Sequence, residues 1–140
     1  MRFCISASLL LTFIFASCSI PNLDPSECSA SRTVVREFYS YHFGNEMKAS
    51  PNGLDARKRF LTPELFKRAG SAVEGTDPFT TGTTDIPKAF RAGECRVIST
   101  ERAEYDVLLF WKDDTRTEQK TIKVQAAKVD DAWLIDKIER

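Results

Sequence analysis

The chain has 140 residues, enough for one domain and too few for two. Its 20 basic and 20 acidic residues balance, which excludes an extended nucleic-acid surface, since that needs clustered positive charge. A hydrophobic share of 42% and an aromatic share of 11% point to a globular domain with a substantial core.

Met1-Arg2-Phe3 is followed by an apolar run from Leu9 to Phe15 and then by Ala16-Ser17-Cys18. A short cationic start, an apolar centre and small residues before a cysteine read as an export signal over residues 1–17. The apolar run is shorter than the ~20 residues a membrane-spanning helix needs. The Phe15–Cys18 ending resembles the lipobox of bacterial lipoproteins, and the resemblance implies lipidation of Cys18. Phe15 stands where that motif usually carries Leu. Ordinary cleavage beside Cys18 is the alternative, because Ala16 and Cys18 are both small. The first reading expects a membrane-anchored envelope protein, the second a soluble secreted or periplasmic one.

Residues 18–30 are rich in turn formers and read as a tether, leaving 31–140 as a single domain. Cys4 falls within the signal, so Cys28 and Cys95 are an even pair in an oxidising compartment. A bridge between them would stabilise by roughly 3–4.5 kcal/mol. Two unrelated thiols are the alternative. No CxxC or Cys/His spacing occurs, so no metal or cofactor is expected.

A first helix is predicted from Ser29 or Ser31, with Val34, Val35, Phe38, Tyr41 and His42 on its apolar stripe. A second helical stretch runs from Leu54 to Phe60. Thr62-Pro63-Glu64 then restarts the chain with a cap, a proline and an early acid, and Gly70 ends that helix. Residues 71–93 read as a loop, with Phe79, Ile86 and Phe90 as apolar anchors. From Cys95 the period becomes two, predicting antiparallel strands over 95–100, 104–112, 117–129 and 132–138. Asp113–Arg116 and Asp130-Asp131 supply turns, and a bulge is expected near Ala126-Ala127. Helices followed by a strand meander make an α+β fold, with the helices packed on an antiparallel sheet of about four strands.

Val34–Tyr39, Phe60–Leu65 and the Trp133–Ile138 ending resemble stretches of the nuclear-transport-factor-two-like superfamily, within it most of all its uncharacterised bacterial secreted and lipoprotein domains. The resemblance implies a curved sheet wrapped around a helix as a cone, and pairing of two copies through the sheet. It carries no assigned activity.

Candidate pocket residues are Tyr39, His42, Asp77, Tyr105 and Trp111. The resemblance implies acid/base groups inside the cone, where His42, the single histidine, could act with Asp77 or Tyr105. No ionisable residue on its own helical stripe orients it, so the competing reading is a buried, hydrogen-bonded histidine. No nucleophile elbow or phosphate loop is present, and no catalytic residue is assigned. Arg57-Lys58-Arg59 reads as a solvated basic face, with anionic lipid headgroups as the other reading. Leu108, Phe110, Leu134 and Ile138 predict an apolar second sheet face that needs covering. The expected function is a lipid-anchored, non-catalytic domain that binds a small molecule or an envelope protein, with no nucleic-acid partner. The alternatives are a small enzyme using His42, and an accessory subunit docked through the apolar sheet face.

Overall fold

The computed structural model describes residues 23–140. The expected signal at 1–17 and the lipidation site at Cys18 lie outside the described residues. Three α-helices, α1 (Ser26–Phe43), α2 (Pro51–Arg57) and α3 (Pro63–Ala69), precede four strands. The strands are β1 (Ala89–Ser99), β2 (Arg102–Lys112), β3 (Thr117–Val129) and β4 (Ala132–Glu139). They form one antiparallel sheet in the order β1-β2-β3-β4, and the helices pack on one face, giving an α+β fold.

Helix α1 is organised by a buried stripe of Cys28, Ser31, Val35, Phe38, Tyr39 and His42. The spacing of three and four residues keeps these side chains on one face. That face lies on the sheet and touches all four strands. The helix begins at Ser26, inside the stretch expected to be a tether. Its first turn is fixed by tertiary bonds that no local cap signals. Cys28 is disulfide-bonded to Cys95, with Cα atoms 6.0 Å apart, and the Tyr105 hydroxyl donates to the Cys28 carbonyl at 2.6 Å.

Ser50 caps α2 by accepting from the Gly53 N–H, and Thr62 caps α3 by accepting from the Leu65 N–H. Between these helices, a single 3₁₀ turn (Lys58–Phe60) leads to a bridge between Leu61 and Ile135. The Thr62 N–H donates to the Ile135 carbonyl at 2.9 Å, so α3 is tied directly to β4.

Strand β1 starts at Ala89, six residues before the expected Cys95. Its alternation is hidden by an extra residue between Ala92 and Cys95, which brings both toward the core. Gly93 occupies this bulge, and a Cβ there would stand 2.8 Å from the Asp106 carbonyl oxygen. The one bulge expected from the sequence falls where Gln125 opposes Lys137 but Ala126 opposes Ile135. The extra residue is therefore Asp136 on β4, while β3 stays regular against β2. The shift carries Ile138 onto the core side with Ile135. This corrects the four-residue apolar outer face expected from parity. Leu108 and Phe110 share the outer face with ion pairs joining Arg96 to Glu104 and Lys123 to Asp106.

Asp130 and Asp131 both adopt positive φ, 49° and 64°, as a two-residue type I′ hairpin requires. Among the described residues, no helix is long and apolar enough to cross a membrane.

Candidate functional site

The stripe of α1 ends on His42, whose ring lies in an aromatic surround. Phe38 stacks on it at 5.7 Å between centroids, and Phe79 meets it edge-on at 5.3 Å. Both ring nitrogens are engaged. Arg57, the last residue of α2, donates from Nε to His42 Nδ1 at 2.8 Å. A guanidinium has no acceptor, so Nδ1 carries no proton and the imidazole proton sits on Nε2. Nε2 then donates to Asp77, 3.0 Å from Oδ1 and 2.9 Å from Oδ2. His42 and Asp77 are fully buried and Arg57 is 3% exposed.

Each partner is held from its own element. Arg57 also donates from Nη1 to the Gly53 carbonyl (2.6 Å) and from Nη2 to the Glu46 carbonyl (2.7 Å), and its guanidinium lies 5.5 Å from the Tyr41 ring centre. A side chain at Gly53 would press on the Ser50 cap and the Arg57 guanidinium, at 2.7 and 3.3 Å. Burial lowers the Arg57 pKa, opposed by Tyr41, Asp77 and Glu46.

Asp77 opens a compact turn in the loop between α3 and β1, which ends at residue 88 and not at the expected 93. Its carboxylate accepts from the Phe79 N–H (2.9 Å) and the Thr80 hydroxyl (2.6 Å). The Asp77 backbone exchanges bonds with Thr83 and Gly82. Tyr39 donates to the Phe79 carbonyl at 2.9 Å. Burial first, then the Asp77 charge, hold the Tyr39 pKa well above its ordinary value, against the pull of Arg140. Arg140 donates to the carbonyls of Pro78 and Thr80, closing the turn from the far side. The result is a neutral imidazole bridging a buried cation and a buried anion, with its hydrogen-bonding capacity filled.

The expected pocket therefore divides. Tyr39, His42 and Asp77 come together, but in a filled interior. Tyr105 sits at the other end of α1, donating to Cys28 and lying 2.7 Å from the Ser31 hydroxyl. Ser31 and His42 are about 16 Å apart along the helix at 1.5 Å per residue. Trp111 is buried at the far end of β2, with Arg116 and Lys120 over its ring at 4.9 and 5.5 Å.

Two members of the cluster were missed. The basic run predicts a solvated face for Arg57, but its long side chain turns inward from the end of α2. The available signal was its i+3 spacing from Leu54, which lines the same side. Thr80 follows Asp77 by three residues, the spacing at which a hydroxyl can return to a turn-forming carboxylate.

A real opening lies beside this cluster. A cleft of about 660 Å³ is bounded by α2, α3 and the 77–79 turn. Its wall includes Met47, Leu54, Phe66, Ala72 and Phe79, and Arg57 forms part of its inner side. Lys48, Asp55 and Glu74, all exposed, stand around it. Among the described residues, no group of three or more His, Cys, Asp or Glu side chains converges on a metal-sized site.

No family model matches the chain, and no curated protein matches it. Its fold is similar to that of a solved protein of unknown function from Bacteroides thetaiotaomicron VPI-5482, with a TM-score of 0.52 and 20% sequence identity. The likeness covers 81% of this chain and 91% of the other.

Proposed function

We propose that the protein is an extracytoplasmic, lipid-anchored binding domain whose ligand enters the cleft between α2, α3 and the 77–79 turn. The carrying observation is this cleft of about 660 Å³, mostly apolar in its wall and backed by the rigid Arg57–His42–Asp77 cluster. Its size suits a small molecule, and the cluster keeps the inner wall pre-formed. The ligand chemistry it favours is a largely apolar body with a polar end toward Lys48, Asp55 or Glu74. The cationic start and apolar run before Cys18 support export and anchoring, and the Cys28–Cys95 bond suits an oxidising compartment.

The probe for the cleft is 1-anilinonaphthalene-8-sulfonate, an apolar ring system with one anionic group. Saturable binding is expected, weakened roughly tenfold or more by Ala72→Trp, which fills the cleft, with an unchanged melting temperature. Binding that ignores Ala72→Trp overturns the cleft as the site. For the anchor, Cys18→Ala should move the exported chain from the detergent phase to the aqueous phase, and unchanged partitioning rules the anchor out.

We propose as well that the domain is a divergent nuclear-transport-factor-two-like fold. Helices before a four-strand meander support this, as does the bonding of Leu61 and Thr62 to Ile135, which joins two of the stretches that carry the resemblance. An experimental structure with the sheet curled around α1 is the check, and a flat sheet counts against it.

A further inference from the structure

Five large apolar side chains are exposed among the described residues; three of them, Val97 at 40%, Ile98 at 53% and Val129 at 37%, lie at the hairpin end of the sheet, and a fourth, Leu23 at 85%, precedes α1. The sheet register brings the first three together. The β1–β2 hairpin closes where Ser99 opposes Arg102, and the β3–β4 hairpin closes where Val129 opposes Ala132. A bond from the Lys128 N–H to the Glu101 carbonyl (2.8 Å) sets the two hairpins side by side. Helix α1 starts at the same end. Its Cys28 is bonded to Cys95, three residues before Ile98, and its last turn lies near Phe90 at the start of β1. Leu23 lies three residues before Ser26, so the chain enters the domain at the end where α1 begins.

We infer that this end of the domain rests on the lipid surface that carries the anchor, with Leu23, Val97, Ile98 and Val129 dipping into the interface. The inference rests on the proposed lipidation of Cys18. Leu23 follows Cys18 by five positions, a reach of at most about 17 Å, so the anchored domain cannot stand far from the bilayer. Interfacial contact needs only about 5–10 Å of penetration. The contact is apolar and not electrostatic. The cations Arg96, Arg102 and Lys128 are each paired with an acid, Glu104, Asp136 and Asp131 respectively. The turns themselves carry Glu101, Asp130 and Asp131. Anionic headgroups therefore gain nothing here, and a neutral lipid surface is the matching partner.

The test uses the full chain, exported and processed in a bacterial host and reconstituted into phosphatidylcholine vesicles. Ile98→Cys, Val129→Cys and Val73→Cys are labelled with nitrobenzoxadiazole and quenched by doxyl lipid. Val73 is the fifth exposed apolar residue and lies in the loop after α3. Labels at Ile98 and Val129 should be quenched several-fold more than the label at Val73, with no loss in high salt. Two probes at the hairpin end keep the test standing if one variant misfolds. Equal quenching at all three sites, with the chain still sedimenting with the vesicles, overturns the orientation and leaves the anchor. A chain that stays in solution overturns the anchor and the orientation with it.

Discussion

An imidazole that acts as general acid or base needs one nitrogen free to meet a substrate proton. In His42, Nδ1 receives the Arg57 Nε–H and Nε2 donates to Asp77, so neither is free. The Asp–His half of a catalytic arrangement is thus present, with an arginine where a substrate would have to be. The consequence is structural. Removing the ring takes one hydrogen bond each from a buried guanidinium and a buried carboxylate, a loss on the order of 2–4 kcal/mol. His42→Ala should therefore lower unfolding stability by about that much in a urea titration, whereas a cost below about 1 kcal/mol would show that the cluster relaxes freely. The histidine and Asp77 were legible in the sequence as a candidate pair. Arg57 was not, because a charge in a basic run is normally solvated, and only the approach of α2 to α1 reveals that its last side chain points inward. Tyr105 and Trp111 share the inner face but not the pocket, because strand parity gives the face of a side chain and not its position along the sheet.

Among the elements, periodicity located β2, β3 and β4, and the capping chemistry of Thr62-Pro63 located the start of α3. The misplacements have a common cause in long-range constraint. Helix α1 begins early because Cys28 is tied to Cys95 and Tyr105, and β1 begins early because the Gly93 bulge breaks its alternation. Asp136 similarly reverses the face of Ile138. The disulfide joins residues 67 apart in the chain. Closing a loop of that length restricts the unfolded ensemble by about 4 kcal/mol in the chain-entropy model. Cys95→Ser should lower the denaturant midpoint accordingly and expose the first turn of α1 to amide exchange before the rest of the helix. Uniform exchange along α1 would count against this role for the bridge.

For the molecule as a whole, two sets of ionisable groups shape stability at the two ends of the pH range. The carboxyls of Asp85, Glu104, Asp113 and Glu118 are held below their ordinary values, by Arg116, Arg96, the Thr115 N–H and Arg116 respectively. A depressed carboxyl contributes stability that is present above its unfolded pKa, about 4, and is lost as the pH falls. These groups lie near the surface, so the acid limb should be shallow and flatten further in 1 M salt. The alkaline limb has the opposite sign and a buried origin. Tyr39 and Tyr105 have raised pKa values, burial being the first cause in both. Their contribution is complete below about pH 10 and is lost as the pH rises, because the unfolded chain releases these protons first. Salt cannot screen a desolvation effect of this kind. Tyr39→Phe should therefore cost stability at neutral pH through the lost bond to Phe79, yet show a shallower alkaline decline than the parent in melting temperature against pH. Lysine deprotonation affects both proteins alike, so it cancels in the comparison. Parallel alkaline limbs would mean that Tyr39 ionises as readily in the folded protein as in the unfolded chain, and that the Phe79 turn opens to water before the domain unfolds.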